Sequence, residues 1–96
     1  MYTVYVLRSM KDGRYYTGYT SNLARRLNEH NSGKTESTRR RRPFVVVYKE
    51  EYETQTEAKF REKFLKTGKG REELRNKLTG AVPHPPEADK SGMEKD

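Results

Sequence analysis

The fold is decided by residues 16–30, which read YTGYTSNLARRLNEH. The first residues of this stretch are typical of the end of a strand, and the remainder is typical of a helix. Leu23 and Leu27 are four residues apart, so they share one helix face. Arg26 and His30 fall on that same face, where an amphipathic helix normally places apolar residues. Because burying two cation-capable side chains is costly without a counterpart, the pattern predicts an anion site between this helix and the preceding strand.

The composition describes one small domain. The chain has 96 residues, of which 30% are hydrophobic and 36% are charged. There is no cysteine, which excludes a disulfide framework, a thiolate metal site and a cysteine nucleophile. No apolar run approaches the roughly 20 residues that span a bilayer, and no signal peptide precedes the first strand-like pattern. We therefore expect a soluble, cytoplasmic protein that does not contact a membrane.

The positive charge is concentrated in the first part of the chain. The formal net charge is +7, and residues 79–96 contain two lysines against four acids, so residues 1–78 carry +9. A small domain this basic indicates a polyanionic partner. The alternative is that the positive charge only keeps the protein soluble. The concentration of charge in the run Arg39–Arg42 argues against this alternative.

The secondary structure expected from the sequence is β-β-α-β-α-α. The predicted strands are residues 2–8, 14–20 and 44–48, and the predicted helices end near residues 31, 68 and 78. This order predicts the α+β class, with a small three-stranded, mostly antiparallel sheet flanked by helices. The third strand is apolar enough to lie in the middle of a core, and Gly68-Lys69-Gly70 is interpreted as a turn between helices. Residues 1–78 form the predicted domain, and residues 79–96 are expected to be a disordered, acidic, proline-containing tail.

Five side chains are candidates for chemistry. Arg26 carries a planar guanidinium that is suited to phosphate oxygens. His30 can accept a proton near neutral pH. The hairpin can bring Tyr5 and Tyr16 near this helix face, whereas the other tyrosines are expected to cover a half-buried sheet. Glu62 lies at the edge of the buried face of the second helix, where its spacing favours a surface ion pair with Lys59, Lys63 or Lys66.

These residues occur in an order that resembles the GIY-YIG nuclease superfamily. Thr3-Val4-Tyr5 stands at the first tripeptide of that family, and Tyr16-Thr17-Gly18 stands at the second. Residues 22–33 are similar to its helix motif, with Arg26 at the arginine and His30 at the histidine or tyrosine position. Residues 56–66 resemble the helix of its metal site and place Glu62 at the ligand position. More narrowly, the chain resembles the small single-domain, excision-nuclease-C-like members of the UPF0213 type.

The resemblance covers roughly residues 2–78 and has departures. Thr3 replaces the usual glycine, and Thr17 replaces the usual isoleucine or valine, although both keep strand character. The late asparagine of the family has no secure match, with Asn76 at a plausible distance after Glu62.

The resemblance implies metal-dependent hydrolysis of DNA phosphodiester bonds, in DNA repair or recombination. Glu62 would hold one divalent cation, Mg²⁺ or Mn²⁺, with water filling the other positions. Tyr5 would be the general base for the attacking water, with its own proton loss helped by His30 or by metal-bound solvent. Tyr16 would position the phosphate or the water, and Arg26 would neutralise charge in the transition state.

The expected partner is DNA, in branched, flap or damaged form. The phosphate backbone would be bound without reading of sequence by the basic loop, through Lys34, Arg39, Arg40, Arg41 and Arg42. Cleavage of RNA, a partner protein that supplies specificity and the oligomeric state are left open by the sequence. The alternatives are a nucleic-acid-binding module of the same fold with little or no catalysis, and a basic interaction protein whose aromatic residues are only core.

Overall fold

The computed structural model describes residues 1–78, so the predicted tail at residues 79–96 lies outside the described residues. The elements in chain order are β1 (Tyr2–Ser9), β2 (Tyr15–Thr20), α1 (Leu23–Asn31), a short 3-10 turn (Arg39–Arg41), β3 (Phe44–Tyr52), α2 (Gln55–Leu65) and α3 (Gly68–Leu78). The predicted order β-β-α-β-α-α and the α+β class are confirmed. No helix within residues 1–78 is long and apolar enough to cross a membrane.

The sheet is built around its first strand. The strand order is β2-β1-β3, and β1 pairs antiparallel with both neighbours. β1 occupies the middle of the sheet and β3 is an edge strand, so only Phe44 of the apolar run in β3 is fully buried in the core. Val45 in β3 is accordingly 43% exposed. β3 also continues to Tyr52, four residues beyond its predicted end, because its pairing with β1 extends to Tyr2.

Helices cover both faces of the sheet, so alternate residues of β1 enter two different clusters. Val4 and Val6 pack with residues of α2 and α3, among them Leu65 and Leu74. Tyr5 and Leu7 point to the opposite face, where Phe44, Leu23 and Leu27 join them. Coverage on both faces explains why Thr3 to Leu7 are all buried. The five tyrosines expected to cover a half-buried sheet, namely Tyr2, Tyr15, Tyr19, Tyr48 and Tyr52, are partly buried against the first cluster.

The helix boundaries follow local capping chemistry. The Asn22 side chain caps the start of α1 by accepting a hydrogen bond from the amide of Arg25, at 3.0 Å. Thr54 and Glu57 form a capping box at the start of α2. The interpretation of residues 68–70 as a turn was wrong, because α3 begins at Gly68. Gly70 is buried where α3 meets α2, and an added Cβ would lie 2.0 Å from the carbonyl oxygen of Phe64.

The Arg61 side chain, which lies on the core-facing side of α2, is held by acids from two other elements. Its Nε lies 2.8 Å from a carboxylate oxygen of Glu50 in β3, and its guanidinium also pairs with Glu73 in α3. Burial alone would raise the pKa of Glu50, but hydrogen bonds from Arg61 and from two tyrosines lower it to about 2. This ion-pair group fixes α2 and α3 on the sheet, and therefore fixes the helix that carries Glu62.

Candidate active site

Tyr5 lies at the centre of the candidate site, and a glycine makes room for its ring. Tyr5 is opposite Gly18 in the β1–β2 register. A Cβ added to Gly18 would lie 2.7 Å from the phenol oxygen of Tyr5 and 3.3 Å from the ring of Tyr16. The Tyr5 ring therefore lies across the backbone of β2, where only glycine leaves enough space. Its side chain is nearly fully enclosed, with 1% of the residue exposed.

A chain of hydrogen bonds runs inward from Tyr5. The phenol oxygen lies 3.1 Å from Nε2 of His30, and Nδ1 of His30 lies 2.8 Å from Oγ1 of Thr38. The Thr38 hydroxyl donates to the carbonyl oxygen of Thr35 at 3.5 Å, so Oγ1 is free to accept from Nδ1–H. A neutral imidazole has one donor and one acceptor, and Nε2 is then the acceptor for the Tyr5 hydroxyl. All three hydrogen bonds are buried or partly buried. Each group donates to the next one, from Tyr5 to His30, from His30 to Thr38, and from Thr38 to the carbonyl of Thr35.

The protonation states follow from burial. Burial lowers the pKa of His30, and the nearby charge of Arg26 lowers it further. Burial raises the pKa of Tyr5 to about 12, although Arg26 opposes part of this rise. At neutral pH the pair is therefore a neutral phenol that donates to a neutral imidazole. The hydroxyl proton of Tyr5 therefore already has an acceptor, Nε2 of His30, within hydrogen-bond distance.

Tyr16 and Arg26 lie beside this pair and are only partly buried. The Tyr16 ring centroid is 5.0 Å from that of His30, in an edge-on arrangement, and 6.4 Å from that of Tyr5. The Arg26 guanidinium pairs with Glu29 at 3.0 Å. This hydrogen bond is the main cause that raises the pKa of Arg26, and the interaction with Tyr5 raises it further. Arg26 thus carries a permanent positive charge next to the phenol.

Glu62 lies on α2. The negative charge of its carboxylate contributes part of the rise in the pKa of Tyr5. The Glu62 side chain is 15% exposed, and its Oε2 accepts from the ammonium of Lys66 at 2.6 Å. The ion pair expected from the sequence spacing is therefore present. Within residues 1–78, no group of three or more histidine or acidic side chains is arranged to hold a metal ion.

Comparison with known proteins identifies the family. The GIY-YIG catalytic domain matches residues 1–76. The chain belongs to the GIY-YIG family. A UPF0213 protein of Staphylococcus haemolyticus is 41% identical over 73 residues, which cover 75% of this chain and 88% of that protein. A UPF0213 protein of Desulfotalea psychrophila is 45% identical over 65 residues, covering 66% and 58% of the two chains.

A solved structure is also similar. The solution NMR structure of a UPF0213 protein from Bacillus halodurans is 33% identical and covers 95% of each chain, with a TM-score of 0.48. The predicted resemblance to small UPF0213-type members of the GIY-YIG family is confirmed by the domain match and the curated relatives. Membership places the chain among nucleases.

The basic residues expected to bind nucleic acid have different environments. Lys34, Arg39, Arg40 and Arg42 are exposed. Arg41 instead turns towards the protein, where its Nε pairs with Asp12 at 3.1 Å. Asn76, the candidate for the late asparagine of the GIY-YIG family, is exposed on α3.

Sequence reasoning did not find Thr38 or the role of Gly18. Thr38 is fully buried and lies at the end of the loop after α1, directly before the 3-10 turn Arg39–Arg41, so no periodic pattern distinguishes it from its neighbours. Gly18 was recognised only as part of a tripeptide. The available signal was its position opposite Tyr5, which depends on the hairpin register and therefore on the length of the turn between β1 and β2.

Proposed function

We propose that this protein is a divalent-metal-dependent endonuclease that hydrolyses phosphodiester bonds of DNA, with repair or recombination as its role. The observation that carries the proposal is the hydrogen-bonded chain from Tyr5 through His30 to Thr38, with Arg26 and Glu62 acting on the same phenol. A core tyrosine does not require an imidazole acceptor and a guanidinium at its hydroxyl. Acid–base hydrolysis of a phosphodiester uses both kinds of group.

The first step concerns the proton of the attacking water. As the phenol oxygen of Tyr5 accepts that proton, its own proton passes to Nε2 of His30, 3.1 Å away. The imidazolium that forms keeps its Nδ1–H on Thr38, at 2.8 Å, so the ring does not have to rotate. Tyr5 consequently never has to become a free phenolate, which its pKa of about 12 would oppose at neutral pH.

Arg26 stabilises the charge that accumulates on phosphate oxygens. Its guanidinium is only partly buried and lies beside Tyr5, so it can face both the protein and a bound phosphate. The pairing with Glu29 holds the side chain in this position. A preorganised guanidinium of this kind stabilises the transition state more than the ground state. Tyr16 borders His30 and would position the phosphate or the water.

Glu62 is the residue that would hold the cation. A single, mostly buried carboxylate fits Mg²⁺ or Mn²⁺ that keeps several waters and also binds substrate phosphate. It does not fit a metal enclosed by protein ligands, because no larger ligand group exists in residues 1–78. When bound, the cation would polarise the scissile phosphate and neutralise charge on the leaving oxygen. Lys66 occupies one carboxylate oxygen of Glu62 and would have to release it.

One observation favours the alternative of a nucleic-acid-binding module with little catalysis. Tyr5 is almost fully enclosed, with a pKa raised by burial to about 12. For a water to reach its oxygen, Tyr16 or Arg26 has to move when DNA binds. If they do not move, the same residues form a rigid surface beside bound DNA, and cleavage does not occur.

The experiment is a nicking assay on supercoiled plasmid, flap and branched DNA with Mg²⁺ or Mn²⁺. Glu62→Ala and Arg26→Ala are expected to abolish cleavage while DNA binding is kept. Arg25→Ala and Glu72→Gln are matched controls, since each changes an exposed charge on the same or a neighbouring helix. Equal cleavage by all variants would reveal a contaminating nuclease and refute the catalytic assignment. Binding without cleavage by the wild type would establish the alternative.

A further inference from the structure

The turn between β1 and β2 is joined to the loop before β3. The Ser9 hydroxyl donates to the carbonyl oxygen of Arg41 at 2.5 Å. The amide of Met10 donates to the carbonyl oxygen of Pro43 at 2.8 Å. These bonds connect positions more than thirty residues apart in the sequence. The two segments therefore present one continuous surface.

Arg41 holds this junction together from the inside. Its guanidinium pairs with Asp12 and donates to the carbonyl oxygen of Tyr15 at 3.4 Å. It also lies over the ring of Phe44, 5.7 Å from the centroid. The Arg41 side chain is only 26% exposed. Its charge is directed at Asp12, so its main contribution is to fix the loop against the turn.

The remaining basic side chains of both segments are exposed to solvent. We define the hairpin–loop surface as the six exposed cations of the two segments, Arg8, Lys11, Arg14, Arg39, Arg40 and Arg42. Residues 8–14 and 39–43 together contain seven of the 21 basic residues of the chain, but only one of its 14 acids, Asp12. Because Asp12 is paired with Arg41, no carboxylate within these segments is left to neutralise the exposed cations.

The hairpin–loop surface is directly connected to the candidate active site along the sequence. Thr38, which accepts from His30, immediately precedes Arg39. The loop that carries Arg39–Arg42 is therefore anchored at the inner end of the hydrogen bonds that start at Tyr5. Phosphate contacts fix the position of a nucleic acid without reading its sequence.

We propose, on the basis of the nuclease function above, that the hairpin–loop surface binds the phosphate backbone of the DNA substrate. The turn between β1 and β2 supplies as many contacts as the arginine run. The basic loop predicted from sequence is then only half of the binding surface. Arg41 orients the surface, and the exposed residues contact the phosphates.

The test compares two triple variants with equal changes in net charge. The first is Arg8→Gln/Lys11→Gln/Arg14→Gln in the turn. The control is Lys59→Gln/Lys63→Gln/Lys69→Gln, which removes three exposed lysines from α2 and α3. The affinity of each protein for a DNA duplex is measured by fluorescence anisotropy between about 50 and 200 mM salt. Circular dichroism melts verify that each variant is folded.

The expected result is a difference in the salt dependence of binding. The slope of log K against log salt is negative, and each lost phosphate contact reduces its magnitude by about 0.9. The magnitude for the turn variant, which removes three contacts, should therefore be about 2.7 smaller than for the wild type. The lysine control should lose less than about 1, since it changes net charge without removing contacts. Equal losses in both variants would mean that only net charge matters, and would overturn the surface.

The two proposals fail in different ways. If the wild type binds DNA and the turn variant keeps its slope, the hairpin–loop surface is wrong and the nuclease function stands. If the wild type does not bind DNA under any of these salt conditions, both proposals are overturned.

Discussion

Thr38→Val tests the chain of hydrogen bonds at its inner end. Valine has nearly the same shape as threonine but no hydroxyl, so the change removes the acceptor of Nδ1–H of His30, at 2.8 Å. Both residues are fully buried, and water cannot easily replace the lost partner. His30 then has two options. It keeps an unsatisfied N–H, or it moves the proton to Nε2, which faces the oxygen of Tyr5 at 3.1 Å.

The magnitude follows from burial. A buried donor without a partner costs about 1–3 kcal/mol. For a domain of this size each kcal/mol lowers the melting temperature by about 4–8 °C. If the proton moves to Nε2, the stability loss is smaller, but His30 no longer accepts the proton of Tyr5. Since a positioned acid–base group contributes about 10²- to 10⁴-fold to a rate, we expect cleavage to fall by at least about tenfold, with DNA affinity unchanged.

The assay combines NMR of the imidazole nitrogens with cleavage kinetics and thermal melts. The wild type should show His30 protonated at Nδ1 near neutral pH. Thr38→Val should lose that state or lose stability, and Thr38→Ser, which restores a hydroxyl, should recover both. A Thr38→Val protein that kept the Nδ1–H tautomer, the melting temperature and the cleavage rate of the wild type would refute this role of Thr38.

Three further predictions concern stability. Gly70→Ala should lower the melting temperature, because its Cβ would overlap the backbone of α2, and overpacking of this kind costs about 1–3 kcal/mol. In Gly68→Ala the new Cβ has no neighbour within 4 Å, so this control should leave the melting temperature unchanged or raise it. Equal melting temperatures for the two variants would contradict this packing of α3. Because burial lowers the pKa of His30, the unfolded chain binds more protons than the folded one below about pH 6.5. Stability should therefore fall as pH decreases from neutral, and urea titrations of His30→Asn should show a smaller dependence in that range. Arg41→Ala should lower the melting temperature more than Arg40→Ala, while Arg40→Ala should weaken DNA binding more; the reverse order would contradict the inward role of Arg41.

The strand and helix order could be predicted from local chemistry. The β-branched and aromatic run of β1, the capping box at Thr54 and the apolar spacing of α1 each act within a few residues. The prediction that His30 and Arg26 share the inner face of α1 also needed only helical periodicity. The family followed from the order of short motifs, which the sequence contains directly.

Other features depend on contacts between distant segments. The central position of β1 depends on which strands pair, and the buried position of Gly70 depends on how closely α3 approaches α2. Local sequence describes neither, since a glycine suits both a turn and a close helix crossing.

The sequence by itself determined which side chains are available for chemistry, and the tertiary structure decided which of them interact. Tyr5 and His30 come from β1 and α1, and only folding brings the phenol oxygen within 3.1 Å of the imidazole. Thr38 completes that group although nothing in its neighbours marks it. Arg41 differs from Arg40 because it contacts Asp12, the carbonyl oxygen of Tyr15 and the ring of Phe44. Residues 16–30 supplied the helix face, but a hydrogen bond forms between atoms that are close in space, and that distance is set by the packing of the whole domain.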